Sequence, residues 1–102
     1  MASRLRLHEE LCELLGSRNV YYQSPESVKM SYPAIRYFKT GVNTNNANDK
    51  IYKSMNQYNV IVIDPDPDSE IPDKILNHFQ MCRYDRGYTS NNLNHDALTL
   101  YY

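Results

Sequence analysis

The sequence predicts an α+β domain, a two-layer sandwich in which a mostly antiparallel sheet carries two helices on one face. Three observations carry this expectation. The chain opens on an amphipathic stretch of helical period. It holds one continuous apolar run, Val60-Ile61-Val62-Ile63, of the kind found in a central strand. A second amphipathic stretch follows a proline-rich turn and leads into two segments of alternating pattern. The element order read from these signals is α-β-β-β-α-β-β.

Residues 3–15 predict the first helix. Leu7, Leu11, Leu14 and Leu15 fall on one stripe with Cys12 beside it, while Arg6, Glu9, Glu10 and Glu13 face away. Ser3 is placed to cap its start and Gly16 to stop it. Residues 19–23 are β-prone through Val20, Tyr21 and Tyr22, until Ser24-Pro25-Glu26-Ser27 breaks the pattern. Tyr32-Pro33 opens a strand over 34–40, since proline is tolerated at a strand's first position. Residues 41–49 form an Asn-dominated stretch with almost no apolar content, and it predicts a solvated loop.

Residues 50–64 predict one long strand, polar in its first half and apolar in its second. At about 3.3 Å per residue this strand reaches roughly 50 Å, more than a domain of this size covers. The segments 34–40 and 50–57 are therefore expected to pair as a hairpin whose tip protrudes from the body. The turn Asp64-Pro65-Asp66-Pro67-Asp68-Ser69 leads to a second helix over 69–79, with Ser69 as its cap and Pro72 in its first turn. Ile71, Ile75, Leu76 and Phe79 make its apolar stripe. A closing hairpin, 81–89 and 94–102, turns at Ser90-Asn91-Asn92. Cys82, Tyr84 and Tyr88 alternate on its first strand, and Leu98, Leu100 and Tyr102 on its second.

The 102 residues fit one domain, 1–102, without repeat or linker. A core of this size is small, so association with copies of itself would bury additional surface. Ten Tyr and no Trp stand out. Tyr carries an apolar ring with a polar tip, which suits strands and also suits surfaces that are wet when free and buried when bound. A net charge of −1 argues against gripping phosphate backbones, so no sequence-specific nucleic acid is expected as a partner. No apolar run approaches a membrane span, and MASRLRLHEEL lacks the apolar region of a secretory signal. Cys12 and Cys82 fit no metal or redox spacing and read as reduced, buried thiols in a cytoplasmic setting.

Tests for chemistry come out negative. Asp64, Asp66 and Asp68 resemble the start of a calcium loop, but the required Gly and Glu positions hold Ser69 and Ile75. Carboxylates before a helix N-terminus are explained by its dipole. His8, His78 and His95 lie on different elements with no ligand-spaced neighbour. His95 and Asp96 point to opposite faces of a strand, so they make no dyad. The chain's three glycines make no phosphate loop. Arg83, Tyr84, Arg86 and Tyr88 interleave basic and aromatic residues, but strand alternation splits them and Asp85 interrupts. No catalytic residue, cofactor site or metal site is expected, and the protein is expected not to be an enzyme.

Three stretches carry a resemblance: LHEELCELLGSRNVYYQSPESVKMSYPAIRYFK at 7–39, YNVIVIDPDPDSEIPDKIL at 58–76 and LNHDALTLYY at 93–102. Together they resemble a family of small bacteriophage proteins from the head–tail joining region, described as tail terminator or tail completion proteins. The resemblance implies a small α+β domain that closes into a ring, typically a hexamer, which caps the finished tail tube and docks onto the head connector or stopper. It implies a virion location in the neck or tail, after assembly in the bacterial host cytoplasm. Its partners would be copies of itself, the tail tube protein and the connector. The alternatives are another neck ring, such as a head completion or stopper protein, and a prophage-encoded regulator that binds a host protein.

The family has no catalytic residues to transfer, so contact residues come from pattern. Tyr21, Tyr22, Arg36, Tyr37, Tyr52 and Lys53 are expected to touch a neighbouring copy. Asp66, Asp68 and Glu70 are expected to answer the basic hairpin across the boundary between copies.

Overall fold

A computed structural model describes residues 4–24, 29–47 and 50–102, and for 42–55 the backbone alone. The elements are α1 (Arg4–Leu15), β1 (Val20–Tyr22), β2 (Ala34–Ala47), β3 (Lys50–Asp64), α2 (Ile71–His78), β4 (Cys82–Ser90) and β5 (Leu93–Tyr101). They occur in the anticipated order. The sheet runs β1-β2-β3-β5-β4, with β1 parallel to β2 and every other pair antiparallel.

Both helices lie on one face of this sheet, and the core forms between. Leu7, Leu11 and Cys12 from α1 and Ile71, Ile75 and Phe79 from α2 pack on Ile35, Tyr37, Val60, Val62, Leu98 and Leu100. These strand residues share a face because side chains alternate along each strand. Gly16 ends α1 with φ +84°, and its N–H reaches the Cys12 carbonyl at 2.9 Å, the left-handed stop that glycine supplies without strain. Ser3, the anticipated cap, lies outside the described residues.

Four local expectations need correction. Residues 41–47 are strand, not loop, because their backbone continues the ladder with β3 from Gly41↔Gln57 to Ala47↔Lys50. Backbone pairing of this kind needs no apolar period, so periodicity could not see it. Next, α2 is capped by Glu70 with no side-chain hydrogen bond, while Ser69 Oγ accepts the Ile71 N–H at 3.3 Å one position early. Thirdly, Glu10 does not face away. Its carboxylate meets His78 Nε2 at 2.8 Å and accepts a hydrogen bond from the Tyr102 hydroxyl, joining α1 to α2 and the end of β5. Finally, a register shift between Tyr84 and Arg86 puts Tyr88 on the face opposite Cys82 and Tyr84.

A protruding hairpin is present, but its pairing differs from the one expected: 34–39 pairs with 58–63 inside the body, and 50–57 pairs with 41–47, because β2 runs on through the Asn-rich stretch. β5 pairs with β3 only over 57–64, and β1 ends opposite Tyr37, with the Gln23 N–H on the Tyr37 carbonyl at 2.9 Å. Asn56 and Tyr102 exchange the last two backbone hydrogen bonds to the body, each 3.0 Å. Beyond them, among the described residues, β2 and β3 pair only with each other. The molecule measures 49 × 23 × 22 Å along its principal axes.

Candidate assembly surface

Among the described residues no helix lies over the second face of the sheet, and the strand registers lay it out in three rows. Tyr21, Arg36, Ile61, Ala97 and Arg86 form one row across all five strands. Phe38, Asn59, Thr99 and Arg83 form a second beside it. Ala34, Ile63, His95 and Tyr88 form the third. In the first two rows short side chains hold the middle and long ones the ends; the third row differs, with Ala34 at one end. Ala97 and Thr99 are only 7% and 5% exposed although, among the described residues, no element lies across them. Over its first two rows the face is thus a shallow trough along β3 and β5, walled by β1 and β2 on one side and β4 on the other.

The β4 wall depends on the bulge. In an unbroken strand Arg83 and Arg86 point to opposite faces, but the extra residue Asp85 brings both onto the open face. Asp85 fixes the distortion, since it accepts hydrogen bonds from the Thr99 hydroxyl and, at 3.0 Å, from Arg83 Nε. Those bonds, first that from Thr99, hold its carboxyl below the ordinary carboxylate value against the opposing effect of partial burial. The Arg86 guanidinium sits 5.2 Å from the Tyr88 ring, which stacks on His95 at 4.8 Å and 12°. On the opposite wall the Arg36 guanidinium lies 5.6 Å from the Phe38 ring and donates to the Ser24 carbonyl at 3.2 Å.

On the helix side of the same strand, Tyr84 donates to the Asp96 carboxylate at 2.7 Å across Gly87. A Cβ at position 87 would stand 2.5 Å from that hydroxyl and 3.1 Å from Asp96 Oδ1, so the contact needs glycine there. His95 and Asp96 indeed lie on opposite faces, each with a separate partner. At the end of the trough a cleft of about 220 Å³ opens between Pro67 and Tyr88, Thr89 and His95.

The anticipated contact residues separate into five groups. Tyr21 and Arg36 share the open face, where the Tyr21 hydroxyl accepts the Ser31 N–H at 3.3 Å. Tyr22 turns to the helix side, half-buried between the Arg4 guanidinium at 4.2 Å and the Tyr37 ring at 4.9 Å. Tyr37 is a correction: it is 0% exposed, with His8 Nδ1 at 2.8 Å from its hydroxyl, and belongs to the core. Alternation alone put it beside Arg36 in sequence, and alternation also sends it to the opposite face. Tyr52 and Lys53 lie on the ribbon strand, and their side chains are outside the described residues.

Asp66, Asp68 and Glu70 are exposed, at the opposite end of β3 from the ribbon tip. The turn holding them is braced by its own carboxylates: the Asp66 N–H donates to Asp64 Oδ1 and the Asp68 N–H to Asp66 Oδ1, each 2.9 Å. Among the described residues the ion pairs are Arg18–Glu9, His78–Glu10 and Arg83–Asp85, so none of these three carboxylates has a cation within 4.0 Å. Sequence reasoning did not bring Arg83 and Arg86 onto one face, because nothing in the residue pattern marks the bulge.

Groups with reactive potential are held quiet. Cys12 is buried, and burial raises its thiol; burial also pushes Cys82 up to about 11. Among the described residues no three His, Cys, Asp or Glu side chains stand together as a metal site. No described helix is long and apolar enough to cross a membrane. Comparison with protein-family models and with curated proteins finds no match to this chain.

Proposed function

We propose that this chain is a structural protein of a bacteriophage neck, a tail terminator that closes into a ring, caps the tail tube and joins it to the head connector. Two independent supports favour the reading. The stretches 7–39, 58–76 and 93–102 resemble that family along nearly the whole chain. The observation that carries it physically is the β2–β3 ribbon, which extends past the body with no further strand paired to either backbone edge among the described residues. Such an element gains stability when another chain lies against it, and it supplies reach between neighbours in a ring.

The mechanism needs no bond-making. A ring of copies covers the growing end of the tube, so the next tube subunit finds no free site. Its other side offers a new surface to the connector. Contacts between unlike patches on identical copies close on themselves when the rotation allows, which ends growth.

Light scattering on the purified full chain, with and without its tail tube protein, tests the reading. A hexamer, or a monomer that becomes a ring only on the tube end, supports it. A stable monomer that ignores the tube protein overturns it in favour of a stopper or a host-directed regulator.

A further inference from the structure

We propose that the open sheet face is the docking surface for a second copy of this chain, which seats its Asp64-Pro65-Asp66-Pro67-Asp68 turn in the trough between β2 and β4. The inference deepens the ring reading and rests on it. It replaces the ribbon with the open face as the cationic half of the contact.

Composition is the first argument. Among the described residues the face carries Arg36, Arg83 and Arg86 with Tyr21, Tyr88 and Phe38, and no Lys or Glu. Protein contacts favour Arg and aromatic residues and disfavour Lys and Glu, which lose more freedom and hydration when covered. A face meant only for water has no reason for that bias.

Shape is the second. β2 and β4 stand three strand spacings apart, about 14 Å. The floor between them is made of Ala97, Thr99, Asn59 and Ile61. A narrow projection fits this width. The turn is one: Pro65, Asp66, Pro67 and Asp68 are all exposed, its prolines fix φ, and its two carboxylate–amide bonds lock the rest.

Charge decides the occupant. The face holds three arginines against the single carboxylate of Asp85, which is already shared by Arg83 and Thr99. The turn ends in Asp66, Asp68 and Glu70, which meet no cation among the described residues of one copy. The complement each patch lacks is carried by the other, on a separate part of the same chain. The two patches differ, so the contact is heterologous and propagates from copy to copy until it closes.

The experiment uses the full chain carrying Arg86→Glu, Asp68→Arg, or both, with self-association measured by light scattering at low and high salt. Circular dichroism checks folding, and Arg86→Gln and Asp68→Asn serve where a charge reversal unfolds the chain. Each single reversal is expected to weaken association about tenfold or more, and the pair together to recover most of that loss. Association of the unaltered chain is expected to weaken with salt. A ring that persists unchanged in both single variants overturns this contact and leaves the tail-terminator reading standing. A double variant no better than the sum of its parts also overturns it. An unaltered chain that stays monomeric, alone and with the tube protein, removes both.

Discussion

The Tyr102 hydroxyl donates a hydrogen bond to the Glu10 carboxylate, fastening the end of β5 to the first helix across 92 positions of sequence. The second oxygen of the same carboxylate meets His78 on α2 at 2.8 Å, so one acidic side chain ties the two helices to each other and to the end of β5. Partial burial works against the Glu10 charge. The bonds from Tyr102 and His78, with the charges of His78 and Arg6, outweigh it and hold the carboxyl below 4.5. The opposite holds for Tyr102, which burial and the carboxylate together push up to about 12.

Glu10→Gln is expected to cost about 1 kcal/mol at pH 7, the net worth of one polar contact of this kind. The sign follows from the lowered folded value. The contribution is fully present above the unfolded value of 4.5 and is lost as pH falls through the folded one. Urea titrations of the two proteins should therefore differ at pH 7 and converge in acid. A constant difference at every pH would show that Glu10 acts through packing alone.

Gly87→Ala is expected to cost about 1 kcal/mol by displacing the Tyr84 hydroxyl from Asp96, since the new methyl occupies its place. A Tyr84→Phe background, which lacks that hydroxyl, should absorb most of the effect. The double-mutant cycle by chemical denaturation reads the coupling, and additive losses would place the cost in the β4 backbone.

Tyr37 and Tyr21 provide a sharper separation. Tyr37→Ala removes a fully buried ring that touches Tyr22, Tyr58 and His8, and should cost about 3–5 kcal/mol. Tyr21→Ala, on the open face, should cost about 1 kcal/mol or less in the monomer and show its larger effect in self-association. Equal losses of stability would refute the division of the two residues between core and surface.

Much of the fold was legible because its core follows the two simple periods. Leu7 and Leu11 repeat at helical spacing, Ile71 and Ile75 do the same, and Tyr58, Val60 and Val62 alternate. What stayed hidden has no period. The extension of β2 through its Asn-rich half is held by backbone hydrogen bonds that any side chains permit. The parallel pairing of β1 to β2 depends on a connection between them, not on either strand's residues. The candidate surface was half legible: Arg36, Asp66, Asp68 and Glu70 are exposed or partly so, as a contact requires. Arg83 and Arg86 came into view only with the bulge, and Tyr37 was misplaced because a neighbour in sequence is not a neighbour on a strand's face.

The position of β4 has a kinetic meaning. It is one of the sheet's two edge strands, paired in the sheet only with β5, and none of its residues is fully buried; Tyr84 and Tyr88 are 45% and 40% exposed. Amide protons along it are therefore released to exchange more readily than those of the central strands β3 and β5. Arg83 and Arg86 ride on that strand, so their spacing is firm only while it stays zipped. A neighbour seated against them would brace this edge of the sheet, and the ring and the sheet edge would then harden together.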